Sequence, residues 1–169
     1  MNVNDLLLDI FGRLPDLIRS TVDGLSPEQL RWAPAPGANT VGWLVWHLTR
    51  IQDDHVAEVA GEAQVWESGE WAVRFGLQPG TLETGWAHTP DQVAALQPES
   101  GRVLVEYYDA VARRTGSFVA ALTPDDLDRV VDERWDPPVT LGVRLVSVAE
   151  DDLQHVGQAA YLRGLILRR

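Results

Sequence analysis

TVGWLVWHL (Thr40–Leu48) and AEDDLQHVGQ (Ala149–Gln158) are the stretches whose reading decides the fold. Thr40 suits a helix N-cap. Behind it Val41, Leu44, Val45, Leu48, Ile51 and Val56 recur at helical spacing, so a helix is predicted to about Ala60. His47 falls inside this apolar run, where an imidazole needs a partner. In the second stretch Asp151 and His155 stand at i, i+4 on a helix that Thr140 caps and that runs to about Leu167. That spacing puts their Cβ atoms about 5–6 Å apart on one helix face. Two imidazoles and a carboxylate leave a coordination position open, which is the ligand set of a catalytic rather than a structural zinc or similar metal.

Outward from these two helices, Leu6, Leu7, Ile10, Leu14, Leu17 and Ile18 predict a first helix from Val3 to about Asp23, with a kink or a late first turn at Pro15. Val103, Leu104, Tyr107, Tyr108, Val111, Phe118 and Val119 predict another from about Ser100 to Leu122. Short helical turns are expected at Ser26–Leu30 and after Thr123, and an extended segment from Val130 to Val139. Glycines and prolines interrupt residues 61–98, yet Trp66, Trp71, Phe75 and Trp86 lie there. Such a stretch suits a packed crossover or a lid. Four long helices with one long crossover predict an all-α four-helix bundle, a single domain over residues 1–169.

Composition narrows the chemistry. The chain has 169 residues, 45% hydrophobic and 23% charged, as an ordinary globular domain does. It has no cysteine, which excludes disulfides, thiolate ligands and a cysteine nucleophile. Against 25 acidic residues stand 14 basic ones, a net charge of −11, so neither a nucleic-acid face nor an anionic membrane surface fits. No apolar run spans a bilayer and the N-terminus lacks signal-peptide features, so a cytoplasmic protein is expected. Seven of the thirteen aromatic residues are tryptophan, a residue suited to pocket walls and subunit contacts.

At 100° per residue Trp43, His47 and Asp54 share a face of one helix, with His55 near its edge. Arg144, Ser147, Asp151, His155, Gln158 and Leu162 form a mostly polar stripe on the other. A metal would explain that stripe, with Gln158 and Asp54 orienting the histidines. A plainer reading stands beside it: a lone histidine on an apolar helix is commonly a hydrogen-bonded core residue, and Asp–His pairs at i, i+4 are common. By the plainer rules His88 is solvent-facing or a loop contact, and Trp32, Trp66, Trp71 and Trp86 are packing residues. Glu58, Glu62, Glu150 and Asp152 then form a solvated acidic face. No nucleophile elbow surrounds Ser147, and no phosphate-binding glycine loop is present.

At LSPEQLRWAPAPGANTVGWLVWHL (Leu25–Leu48) and DDLQHVGQAAYLRG (Asp151–Gly164) the chain resembles the DinB-like superfamily of metal-binding four-helix bundles. That superfamily includes mycothiol-dependent maleylpyruvate isomerases and thiol S-transferases. The resemblance implies metal-ligand roles for His47, Asp151 and His155, with Asp151 standing where many members carry a histidine. It implies a divalent metal, zinc or nickel, that activates the thiol of mycothiol or a similar small cofactor. Trp43, Arg144 and Gln158 would bind the cofactor or line its pocket, and the family habit adds the expectation of a homodimer.

The leading expectation is therefore a metal-dependent thiol S-transferase or isomerase acting on small molecules. The alternatives are a binding protein with a structural or vestigial metal site, and a metal-hydroxide hydrolase with Asp54 as its base.

Overall fold

The computed structural model describes residues 2–169. Each long helix starts where a side-chain oxygen accepts one of the N–H groups that the first helical turn leaves free. Asn2 caps α1 (Val3–Val22), Thr40 caps α3 (Val41–Ala60), Ser100 caps α6 (Gly101–Ala121) and Thr140 caps α7 (Leu141–Ile166). Between them lie α2 (Pro27–Leu30), α4 (Trp71–Arg74) and α5 (Pro90–Ala95), with 3-10 turns at Val65–Ser68 and Pro124–Asp128. The extended segment forms a small antiparallel hairpin, β1 (Val130–Asp132) with β2 (Val139–Thr140), in which Val130 pairs with Thr140 and Asp132 with Val139. The kink expected at Pro15 does not end α1, which runs on through it.

The architecture is the four-helix bundle expected from the sequence. α1 packs on α6 and α7, and α3 packs on the same two helices, so α1 and α3 lie diagonally across the core. Leu14 and Ile18 of α1, Leu44 and Leu48 of α3, Leu104 and Tyr108 of α6, and Leu145 and Val148 of α7 are all buried there. The start of α3 is pressed close to its neighbours: a Cβ on Gly42 would lie 2.9 Å from Pro98 and 3.0 Å from the Leu30 carbonyl. No helix is long and apolar enough to cross a membrane.

The crossover is a packed structure, tied to α3 by buried polar groups. Asp53 accepts from the backbone N–H groups of Val65 and Trp66 at 2.9 and 2.8 Å and from the Tyr107 hydroxyl at 2.8 Å. Trp66 fills the space beneath, against Trp46, Phe75 and Tyr107. Trp86 departs from its expected packing role, being 84% exposed.

Asp152 also departs from expectation. It is fully buried rather than part of a solvated acidic face, and neither of its carboxylate oxygens has a hydrogen-bond partner. The helix phase explains the error: Val148, Asp152, Val156 and Ala159 make one inward stripe of α7. Burial, and then the neighbouring Asp151 charge, push its pKa well above the carboxylate range. The folded chain therefore holds a proton there that the unfolded chain releases above about pH 4. Folding stability of the metal-free protein should fall as pH rises through that region, by up to about 1.4 kcal/mol per pH unit from this group. Asp152→Asn should remove this slope, so denaturant melts at pH 5 and pH 7 should show a stability gain that grows with pH. A pH-independent difference between variant and wild type would contradict the assignment.

Candidate metal centre

His47 and His155 face each other across the α3–α7 contact, with ring centroids 4.8 Å apart. Asp151 lies one turn from His155, and one donor atom from each of the three residues falls within 4.8 Å of the others. The helix periodicities read from the sequence account for this meeting. α3 delivers His47 from its buried face, and α7 delivers Asp151 and His155 from the edge of its buried stripe.

The backbone fixes the state of His47. Its Nδ1 lies 2.6 Å from the Thr84 carbonyl oxygen, which can only accept, so Nδ1 carries the hydrogen and donates it. Nε2 is left with a free lone pair, the form in which imidazole ligates a metal. Burial pushes the His47 pKa down, which keeps the ring neutral. The Trp43 ring stacks on it at 4.6 Å and 14°.

His155 Nδ1 lies 2.9 Å from Gln158 Oε1 and donates to it, which turns Nε2 toward Asp151, 3.5 Å from Oδ1. The facing Asp151 carboxylate raises the His155 pKa, with burial opposing it and Gln158 adding to it. The other Asp151 oxygen, Oδ2, is buried with no hydrogen-bond partner. An unpartnered carboxylate oxygen beside two imidazole nitrogens is costly unless something positive sits among them. The donor set of two nitrogens and one carboxylate suits a divalent transition metal such as zinc, nickel, iron or manganese.

Thr84 can reach His47 because Gly85 follows it. Gly85 has φ +98°, and a Cβ there would lie 2.7 Å from His47 Nδ1 and 3.0 Å from atoms of both Trp43 and Trp46. Sequence reasoning missed this pair. A glycine in an irregular stretch was visible, but nothing local showed that it abuts a histidine 38 positions earlier.

Trp43 walls the centre and donates from Nε1 to His88 Nδ1 at 3.2 Å, while His88 Nε2 lies 3.2 Å from Glu83. His88 is thus a loop contact, and its ring stacks on Trp46. Asp54 shares the His47 face but accepts from Gln64 Nε2 at 2.6 Å; among the described residues no hydrogen bond links it to His47 or His155. Arg144 lies two turns before Asp151 on α7. It donates to Glu58 at 2.6 Å, Asp132 at 3.4 Å and His55 Nδ1 at 3.0 Å. Glu58 is accordingly ion-paired, and Glu62 pairs with Arg114. Gln158 also borders an open cleft of about 530 Å³ with Pro34, Asn39, Leu44, Gly157 and Tyr161. A larger cleft, about 670 Å³, opens between α1 and α6 and shares no residue with the centre.

Comparison with known proteins adds the family. The mycothiol-S-transferase family model matches residues 6–167. The chain belongs to that family. A crystal structure of a conserved protein from Enterococcus faecalis superposes with a TM-score of 0.91 at 31% identity, covering 100% of this chain and 99% of that one. No curated protein matches the chain. Membership of the mycothiol-S-transferase family agrees with the DinB-like resemblance read from Leu25–Leu48 and Asp151–Gly164.

Proposed function

We propose that the protein is a metal-dependent S-transferase that binds mycothiol or a similar small thiol and passes its sulfur to an electrophilic carbon. The observation that carries this reading is the buried, unpartnered Asp151 Oδ2 beside His47 and His155, all within reach of one ion. A divalent cation bound there would lower the pKa of a coordinated thiol, so that thiolate predominates near neutral pH.

The chain's own residues supply orientation and enclosure. Thr84 and Gln158 each take the Nδ1 hydrogen of one histidine, leaving both Nε2 atoms for ligation. Asp151 contributes negative charge that offsets the cation. Trp43 covers one side of the His47 ring and keeps water from it. The cleft bordered by Gln158, Asn39 and Tyr161 is linked to the centre through Gln158, the partner of His155, and would take the non-sulfur part of the thiol. Arg144, already paired with Glu58 and Asp132, offers no free charge to a ligand. The chain has no cysteine, so the transferred sulfur comes from the cofactor. The sulfur–carbon bond forms as the leaving group departs with the old bond's electron pair, and the thiol proton passes to solvent.

The test is consumption of mycothiol with an alkylating electrophile by zinc-loaded protein, against Asp151→Asn. Wild type should accelerate the reaction, and the variant should lose at least about tenfold through weakened metal binding. Equal rates in both, or none above the uncatalysed reaction in wild type, would contradict the reading.

A further inference from the structure

Four consecutive carbonyls of the crossover, from Thr81 to Thr84, turn inward, and each accepts from a side chain of the protein body. Trp66 Nε1 donates to Thr81 at 2.6 Å, Arg50 Nη2 to Leu82 at 2.9 Å, Arg50 Nε to Glu83 at 3.2 Å and His47 Nδ1 to Thr84 at 2.6 Å. This strap belongs to no helix or strand, and the Leu82 and Glu83 side chains are exposed. Its placement over the metal centre therefore depends on the donors beneath it.

Arg50 supplies two of those four donors. It is fully buried, one turn after His47 on α3. Its guanidinium also donates from Nη1 to Gln64 Oε1 at 2.7 Å and to the Tyr107 hydroxyl at 3.3 Å, lies 3.6 Å from Asp53, and covers the Trp66 ring at 4.9 Å. Only a planar fork with several fixed donors can address two successive carbonyls and a side-chain amide together. The charge is balanced by Asp53, which itself holds the N–H groups at Val65 and Trp66. Arg50 and Asp53 thus pin both ends of the crossover's passage over α3.

We infer that Arg50 is a positioning residue of the metal centre: by fixing the carbonyls of Leu82 and Glu83 it holds the Thr84 carbonyl on His47 Nδ1, and so selects the tautomer that ligates through Nε2. This rests on the proposed metal reading for its consequence, though not for its geometry. Arg50 touches neither ligand nor ion and acts only through the strap.

The test uses the full-length protein with two readouts. Zinc affinity is measured by competition with a chromophoric chelator, and the His47 tautomer is read in metal-free protein by long-range proton–nitrogen NMR of the imidazole. Arg50→Lys keeps the charge but not the fork. It should give a folded protein whose zinc affinity falls about 10–100-fold and whose His47 ring loses its single Nδ1–H form. A folded Arg50→Lys protein with wild-type affinity and an unchanged tautomer would overturn the inference. If Arg50→Lys does not fold, Gln64→Ala, which removes one acceptor of the guanidinium, should shift both readouts the same way by less, and no shift in either would overturn it. A wild type that binds no zinc would contradict the metal reading alone, since the tautomer measurement still decides the role of Arg50.

Discussion

His155→Ala is expected to bind no stoichiometric zinc or nickel while remaining a helical bundle. His155 is one of three convergent side chains, and the two left behind, His47 and Asp151, sit on different helices. Losing one ligand of three should weaken zinc binding by at least about 100-fold, given total site energies on the order of 10 kcal/mol. The fold should tolerate the change, because the side chain lies at the edge of the buried α7 stripe and, among the described residues, its polar partners are Asp151 and Gln158. Elemental analysis with circular dichroism checks both halves. Metal retained at one equivalent would contradict the assignment, and loss of helicity would show that His155 is a core residue.

Gly85→Ala should damage stability and metal binding together. Two separate costs arise. The left-handed backbone disfavours any Cβ by about 1–2 kcal/mol, and the added methyl collides with His47 Nδ1, Trp43 and Trp46. Trp43 is stacked on His47, and Trp46 is held between His88 and Trp66, so the strap must lift, taking the Thr84 carbonyl off His47. A destabilisation of about 2–4 kcal/mol is expected, with zinc affinity reduced at least about tenfold. Gly80→Ala is the control, since Gly80 has φ +80° but open space around it, so it carries the backbone cost alone. Chemical denaturation and zinc competition on both variants separate the terms. Equal losses in the two would mean that the contact with His47 does not matter.

These two residues mark the limit of what the sequence made legible. His155 and Asp151 were readable because a helix repeats every 3.6 residues, and an i, i+4 pair must share a face wherever that helix packs. His47 was readable as an imidazole in an apolar run that needed a partner. The four bundle helices follow from the same periodicity, with Thr40 and Thr140 marking two of their starts. The partner itself was not legible, because the Thr84 carbonyl is a backbone atom whose identity leaves no trace in composition, brought in by a crossover without regular structure. Arg50 and Asp53 carry no sequence signal for a related reason: only the crossover packed over α3 buries them. The acidic neighbours of Asp152 suggest solvent, but its phase with Val148 and Val156 places it inside. Residue type alone suggests packing for Trp86, yet it follows Gly85 in the strap and faces solvent.

The most direct measurement is elemental analysis of untagged protein purified without added metal, side by side with His47→Ala. The account predicts about one zinc or nickel per chain in the wild type and none in the variant. A wild type that takes up no metal even on reconstitution, or a His47→Ala protein that keeps its ion, would contradict it.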